Sequence, residues 1–237
     1  MKLTRFNVSP FSIANLYEVT WQKPALNIRD SQTTERQKKL IKDIQVIGAM
    51  TSKQILDGYY RGNKSGTEEI AQLVKKGLLR QHSLKSHLRT FAVYTTNEYI
   101  RSTDSILRAL SFAQLYVKLL KVSHLSIFPK KSAPGSAAAG ILEINRRPFE
   151  VIVLKGNREI IEQWAGSKHF DGRYIFITED LKYIEPIIDE LPYQQIRFAT
   201  DSSLQKVPLH LAFYARMNGT FEQVIMSAFE STNSEPA

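Results

Sequence analysis

Residues 65–96 read SGTEEIAQLVKKGLLRQHSLKSHLRTFAVYTT, and this stretch decides the fold of the first half of the chain. Apolar residues recur at helical spacing over 66–76, which predicts a helix with one buried face. The two following runs, 78–84 and 90–96, are rich in β-compatible residues and predict the strands of a hairpin. The basic segment 85–89 connects these two strands. The inner face of the helix consists of Ile70, Leu73 and Val74.

Two further helices are predicted upstream of this stretch. The first covers residues 35–50, and Gly48 is suited to end it. The second covers residues 51–56, where Thr51 or Ser52 is suited to cap the free N–H groups of the first turn. Four apolar residues at helical spacing form the buried face of the first helix: Leu40, Ile41, Ile44 and Ile47.

The third helix also carries signals at its ends. Ser65 and Glu68 have the spacing of a capping box, and Gly77 stands where a left-handed C-cap is expected. Three helices followed by a hairpin is the order of a winged helix-turn-helix. The third helix would read the DNA, and Lys85–Arg89 would be the tip of the wing. A small α+β domain without a nucleic-acid role has the same order and is the alternative.

The positive charge of the chain is confined to its first half. The net charge is +9; residues 1–110 contain 18 Lys or Arg and 9 Asp or Glu, whereas residues 111–237 contain 14 of each. No acidic residue occurs from Ile70 to Asn97. A polyanion is the natural partner of such a surface, because each neutralised phosphate releases counterions. A basic surface that serves only solubility is the alternative.

The predicted DNA contacts lie in the turn before the third helix, on that helix and in the hairpin. Residues before or on the exposed side of the helix are expected to reach base edges, and the two at the wing tip are expected to contact phosphates. Glu68 and Glu69 favour the helix dipole but repel phosphates, so they either accept from cytosine amino groups or face away from DNA. The predicted DNA-binding residues are Arg61, Asn63, Lys64, Ser65, Thr67, Gln72, Lys75, Lys76, Arg80, Lys85 and Arg89.

The chain is long enough for two domains. A helix over Thr103–Val122 carries a wider apolar surface than one core-facing stripe requires. Part of that surface is expected to bridge the domains, and part to pair with a second subunit in a homodimer that binds two half-sites. The predicted segments are an N-terminal arm (1–34) with a short strand at 16–21, a winged helix-turn-helix domain (35–100), a connecting or dimerisation helix (101–122), an α/β domain (123–230) and a polar tail (231–237).

The second half alternates strands and helices, which predicts a small α/β sheet domain and gives an α+β class for the whole chain. Its first two strands form a hairpin through a tight turn at 145–147. The predicted strands are 140–144, 148–154, 173–178 and 195–199, and the predicted helices are 157–165, 180–191 and 209–215.

Several classes of site and location are disfavoured by composition. The chain has no cysteine, which excludes disulfides and thiolate metal sites, and its five histidines show no metal-binding spacing. We therefore expect no metal and no cofactor. The N-terminus lacks the apolar core of a signal peptide, and no apolar run has the length of a membrane span. A cytoplasmic protein without a membrane partner is expected.

The strands of the second half invite a comparison with metal-dependent nucleases. Those enzymes place an Asp on one strand and Glu-x-Lys on the next, so that carboxylates hold Mg²⁺ and the lysine orients water. Here Glu143 and Glu150 could hold a metal, but Val151-Ile152 follows Glu150 where x-Lys is needed. Lys155 is predicted to face the opposite side of the strand from Glu150, so that Lys155→Ala should leave DNA binding and activity nearly unchanged. We therefore expect no enzymatic activity.

The chain resembles plasmid replication-relaxation proteins and MobC-like mobilisation accessory proteins. The first half resembles an apolar-Gly-Leu-Leu-x-Arg and Tyr-x-Thr pattern, with Arg80 directly after Leu79, and GILEINRRPFEVIVLKG at 140–156 is similar to their degenerate restriction-endonuclease-like domain. The resemblance spans roughly residues 35–200 and implies a DNA-binding accessory of plasmid or mobile-element replication or transfer. The residues that carry the first match are Leu73, Gly77, Leu78, Leu79, Arg80, Tyr94 and Thr95.

The sequence thus predicts a protein that binds double-stranded DNA through a winged helix. A relaxase or a replication protein is an expected protein partner. The alternatives are a nuclease that uses Glu143 and Glu150, a transcription regulator, and a protein-docking module unrelated to plasmids.

Overall fold

A computed structural model describes seven stretches of the chain: 9–22, 32–63, 65–96, 102–132, 138–155, 172–185 and 196–229. The fold is mixed α+β, with two β-sheets and a long helix that contacts elements of both. Three predicted features lie outside the described residues: the helix at 157–165, the second half of the helix at 180–191, where the described part is a 3₁₀ turn at Leu181–Tyr183, and the tail at 231–237.

Three helices open the first half: α1 (Glu35–Ile47), α2 (Ser52–Tyr59) and α3 (Ser65–Lys75). Thr34 and Thr51 form capping boxes at α1 and α2. Each threonine hydroxyl accepts the backbone N–H of the third helical residue, Gln37 or Gln54, and the side chain of that glutamine accepts the backbone N–H of the threonine. Gly48 ends α1 with φ 105°, and Gly77 follows α3 with φ 77°, which is the left-handed conformation predicted for it.

A buried carboxylate joins α1 and α2 to a later helix, α4 (Thr103–Leu120). One oxygen of Asp43 accepts hydrogen bonds from Tyr59 Oη and Tyr116 Oη, each at 2.6 Å, and from Lys39 Nζ at 2.8 Å. Burial and the nearby carboxylate raise the pKa of Tyr116, so that this hydroxyl remains a donor. The cluster holds the three helices together by polar contacts inside an apolar core.

The small sheet is antiparallel and has the order β1-β3-β4-β2. The predicted hairpin is formed by β3 and β4, which pair from Arg80–Thr95 to Lys85–Thr90. The strand predicted at 16–21 is present as β1, which covers the outer edge of β3. The four strands are β1 (Glu18–Thr20), β2 (Met50–Thr51), β3 (Arg80–Lys85) and β4 (Thr90–Thr95).

Helix α4 lies in the centre of the molecule. Its wide apolar surface is buried within this chain, against α1, α2 and β2 on one side and against the second sheet on the other. The surface that suggested a dimerisation helix is therefore already covered, and that interpretation of the surface was wrong. Eleven residues of α4 are buried: Ile106, Leu107, Ala109, Leu110, Ser111, Phe112, Ala113, Leu115, Tyr116, Val117 and Leu119.

Across the stretches that the structure describes, the large sheet has seven strands in the order β11-β10-β9-β8-β7-β6-β5. The central strands β7, β8 and β9 are parallel to one another, and the flanking pairs are antiparallel. A short helix, α5 (Asp201–Lys206), follows β9 directly. The strands are β5 (Ile127–Lys130), β6 (Gly140–Ile144), β7 (Arg147–Leu154), β8 (Tyr174–Thr178), β9 (Ile196–Thr200), β10 (Phe213–Met217) and β11 (Thr220–Val224).

The helix predicted over 209–215 was wrong. A 3₁₀ turn at Leu209–Leu211 leads instead into strand β10, in which Phe213 and Ala215 are buried and alternate with partly exposed residues. The helical interpretation gave weight to the apolar run and missed the turn that follows it. Asn218 and Gly219 both have positive φ, 50° and 85°, as a tight hairpin turn requires. Strand β5 was also missed.

One apolar cluster runs through both halves of the chain. It includes Leu40 and Ile44 of α1, Phe112 of α4, and Leu142 and Val151 of the large sheet. A smaller cluster lies on the opposite face of the large sheet, around Phe176 and Phe198. Helix α4 therefore connects the two sheets through continuous packing, and this packing positions the helices of the first half.

Candidate nucleic-acid interface

Helix α3 presents one polar face to solvent. Ile70 and Leu73 are buried on its inner side, as predicted. Gly66 fixes its distance from α2, because a Cβ at this position would lie 2.5 Å from Tyr60 Cγ and 2.7 Å from Leu56 Cδ2. The exposed residues of α3 are Ser65, Thr67, Glu68, Ala71, Gln72 and Lys75.

The turn before α3 differs in one respect from the prediction. Ser65 is the first residue of the helix and not its cap, so the predicted capping box with Glu68 is absent. The side chain of Asn63 accepts the Ser65 N–H at 3.1 Å, which occupies its oxygen and leaves its amide donors exposed. Arg61 is exposed with φ 50°. Lys64 lies outside the described residues.

The two acidic residues of α3 have different surroundings. Glu69 turns back to the scaffold, where its carboxylate accepts hydrogen bonds from Gln37 Nε2 and Tyr60 Oη, each at 3.2 Å. Burial, followed by the charge of Glu69, raises the pKa of Tyr60 to about 12. Glu68 remains exposed. Only one of these two carboxylates therefore faces a ligand that approaches the exposed side of α3.

Two predicted DNA contacts sit away from the open surface. Lys76 is partly buried, and its ammonium donates to the Gln32 carbonyl at 3.3 Å. Arg80 is partly buried at the start of β3, and its charge helps to lower the pKa of His82. These two side chains support the position of the hairpin and the segment before α1, and they are less accessible than Lys75.

His82 anchors β1 to the hairpin. Its Nδ1 accepts the Gln22 N–H at 3.0 Å, its Nε2 lies 2.9 Å from Thr95 Oγ1, and the Trp21 ring packs edge-on at 5.2 Å. Burial, followed by the nearby charge of Arg80, lowers the pKa of His82. The neutral imidazole is the form that accepts the Gln22 N–H.

The tip of the hairpin is held by one serine. Ser86 Oγ accepts the N–H groups of Leu88 and Arg89 at 3.2 and 3.1 Å, and Ser86 N–H donates to the Arg89 carbonyl at 2.8 Å. Lys85 and Arg89 are both exposed, as predicted. Although residues 70–97 contain no acidic residue, the fold brings one close, because Glu18 of β1 stands directly opposite Lys85.

The residues considered for a nuclease do not assemble into a metal site. Glu143 forms an ion pair with Lys130, and Glu150 stands opposite Ile141 on the neighbouring strand. Within the described stretches, no group of three His, Asp or Glu side chains could hold a metal ion.

Lys155 has a role that the sequence did not reveal. It follows β7, is fully buried, and pairs with Asp201 after β9. Ser9 Oγ and Ser111 Oγ donate to the same carboxylate at 2.7 and 2.6 Å. The sequence-based interpretation considered only the side of the strand on which Lys155 lies, and not its burial at the strand end, where a charge needs a partner.

The N-terminal segment (residues 9–20) also approaches the large sheet. Glu179, which follows β8, accepts hydrogen bonds from Ser12 Oγ at 2.6 Å and from the Ile13 N–H at 3.0 Å. The same segment continues into β1 beside the hairpin, so it contacts both sheets. Phe11 and Tyr17 of this arm are buried, whereas Trp21 is 43% exposed. No motif in the sequence indicated the contact with Glu179.

Comparison with known proteins gave no match to a family model, to a curated protein or to a solved structure. Among the described residues, no helix combines the length and the apolar character needed to cross a membrane.

Proposed function

We propose that this chain binds duplex DNA through a winged helix-turn-helix, with α3 as the reading helix and the β3–β4 hairpin as the wing. The order α1, β2, α2, α3, β3, β4 supports this assignment, as does the pairing of β4 with both β2 and β3. In this architecture the second helix of the helix-turn-helix pair enters the major groove. Here α2 and α3 are that pair.

The observation that carries the proposal is the set of exposed polar and basic side chains on α3 and at the hairpin tip. On α3, small and amide side chains that suit base edges, Thr67 and Gln72, share the exposed surface with Lys75. At the hairpin tip, Lys85 and Arg89 are exposed cations of the type that contacts phosphates. The apolar inner face of α3 and the close contact at Gly66 hold the helix rigidly behind this surface.

The wider biological role rests on the resemblance to replication-relaxation and MobC-like proteins. We propose a DNA-binding accessory of plasmid or mobile-element replication or transfer, with a relaxase or a replication protein as partner. The described residues do not favour the nuclease alternative, because Glu143 is paired with Lys130 and no three acidic or histidine side chains among them come together to hold a metal.

The experiment is a binding titration of the full chain with fluorescent duplex DNA over a range of salt concentrations. The proposal predicts binding that weakens steeply as salt rises, because phosphate contacts release counterions. Lys182 provides a control, since it is exposed and paired with Asp180 on the large-sheet half of the chain. Lys182→Ala should bind DNA as the unmodified chain does. Absence of duplex binding at about 50 mM salt would remove the proposal.

A further inference from the structure

A cavity lies behind the hairpin, where α2, β4, α4, α5 and the N-terminal segment meet. Its volume is about 400 Å³, which is within the size range of small-molecule sites. None of the sequence motifs pointed to it, and it does not include any residue assigned to DNA. Its lining includes Phe11, Lys53, Phe91, Val117, Lys118 and Lys121.

The C-terminal end of α4 carries two lysines, Lys118 and the C-cap residue Lys121, and neither has an anionic partner among the described residues. Lys118 and Lys121 stand three residues apart on one side of the helix, so their charges repel each other. The Lys118 ammonium donates to the Val207 carbonyl at 2.5 Å, and within the described part of the chain no carboxylate pairs with either lysine. Burial, followed by the charge of Lys121, lowers the pKa of Lys118.

The rest of the lining adds further positive charge and an apolar surface. Lys53 is exposed at the rim and lies 3.5 Å from Asp57, which is the one carboxylate among the described lining residues. Phe11, Phe91 and Val117 provide an apolar wall. The cavity therefore combines three cations, one carboxylate and an aromatic surface. Such a combination suits a ligand with a flat apolar part and a doubly charged anionic part.

We propose that this cavity binds a small molecule that carries a phosphate ester on an organic ring, of about the size of a nucleoside monophosphate. The phosphate would lie between Lys118 and Lys121, where it neutralises two charges that now repel. The ring would pack against Phe11 and Phe91. A phosphate is favoured over a single carboxylate because two adjacent cations match a doubly charged group. This inference does not depend on DNA binding by α3.

The test is calorimetric titration of the full chain with the four ribonucleoside monophosphates and glucose 6-phosphate, beside inorganic phosphate and adenosine. The expected result is that at least one phosphate ester binds more tightly than inorganic phosphate and adenosine do. Lys121→Gln should weaken that binding roughly tenfold or more, since a charge-assisted contact is lost. Lys121 is exposed, so this variant retains the fold. Lys118→Gln is the second variant, with its melting temperature measured in parallel.

Lys182→Gln is the matched control, because its ammonium is exposed and lies outside the cavity. It should leave the affinity for the phosphate ester unchanged. Absence of binding by all five esters overturns the proposal, as does equal affinity of Lys121→Gln and the unmodified chain. A third outcome also overturns it: Lys121→Gln weakens duplex DNA binding while no ester binds, which would assign the two lysines to DNA phosphates.

Discussion

Lys155 and Asp201 form an ion pair that is closed to solvent, between the ends of two parallel strands that are not neighbours. Lys155 follows β7, Asp201 follows β9, and their side chains are 0% and 1% exposed. Ser9 and Ser111 complete the hydrogen bonds of the carboxylate. The pair therefore joins the N-terminal segment, α4 and the large sheet at one point. Each charge is stabilised by the other, because neither side chain is exposed to water.

Removal of one member of this pair should destabilise the whole chain. Lys155→Ala leaves Asp201 buried without its cation, and the expected loss is about 3–5 kcal/mol of the free energy of unfolding. The measurement is urea denaturation followed by circular dichroism. Lys182→Ala, which breaks an exposed ion pair, is the control and should leave the stability nearly unchanged. Equal stability of the two variants would contradict the buried pairing.

The contact between Gly66 and α2 makes a second prediction. Alanine favours helices over glycine by about 1 kcal/mol, so Gly66→Ala would stabilise α3 if the space were open. The Cβ would instead approach the Tyr60 ring at 2.5 Å, and overpacking of this kind costs about 1–3 kcal/mol. Thermal unfolding of Gly66→Ala should therefore occur at lower temperature. Ala71→Ser, at an exposed position of the same helix, is the control. A higher melting temperature for Gly66→Ala would show that α3 is not packed closely on α2.

The buried imidazole of His82 makes stability depend on pH. Its pKa is lowered in the folded chain, so the unfolded chain binds a proton more readily. The contribution of His82 to stability is therefore complete above its ordinary pKa of about 6.5 and is lost as pH falls below that value. Denaturant titrations from about pH 7.5 to pH 5.5 should show this loss. His87→Asn, at the exposed tip, should retain the same pH dependence, whereas His82→Asn should flatten it. An unchanged slope in His82→Asn would assign the effect to other groups.

Local signals in the sequence predicted the three helices and the hairpin of the first half of the chain. The helical spacing of Leu40 and Ile44, the cap at Thr51 and the left-handed Gly77 all act over a few residues, and the structure contains each of them. The hairpin was predictable for the same reason, because two β-compatible runs flank a short basic turn. The positions of Gln72 and Lys75 on the exposed face of α3 follow directly from helical spacing.

Features that depend on distant contacts were not predictable from the sequence. The apolar surface of α4 indicated burial, but only the arrangement of two sheets shows that this chain itself covers it. The alternation of side chains along β7 predicts which side of the strand Lys155 faces. It cannot predict the partner of Lys155, because Asp201 lies 46 residues away in the sequence. Glu18 and Lys85 are likewise brought together by β1 pairing with β3. The Asn218–Gly219 turn differs from these cases, because it is a local signal. The sequence-based prediction missed it by giving more weight to the apolar run before it.

The fourth prediction concerns the proposed roles of α3, which contacts base edges, and of the hairpin tip, which contacts phosphates. Lys85→Ala combined with Arg89→Ala should weaken binding to a selected site and to random duplex about equally, because phosphate contacts carry no sequence information. Gln72→Ala should weaken binding to the selected site alone, by about 1–3 kcal/mol if a bidentate base contact is lost. Lys182→Ala is again the control.

The most direct test of DNA binding by α3 and the hairpin is the slope of log affinity against log salt, measured for the full chain and for these variants on selected and random duplex. The account predicts a steep negative slope for the full chain. Loss of Lys85 and Arg89 should reduce the slope by roughly 2, about one for each lost phosphate contact. Gln72→Ala should keep the full slope and lose sequence preference. If the hairpin variant changes the preferred sequence while Gln72→Ala does not, or if the full chain shows no salt-dependent binding, the account is contradicted.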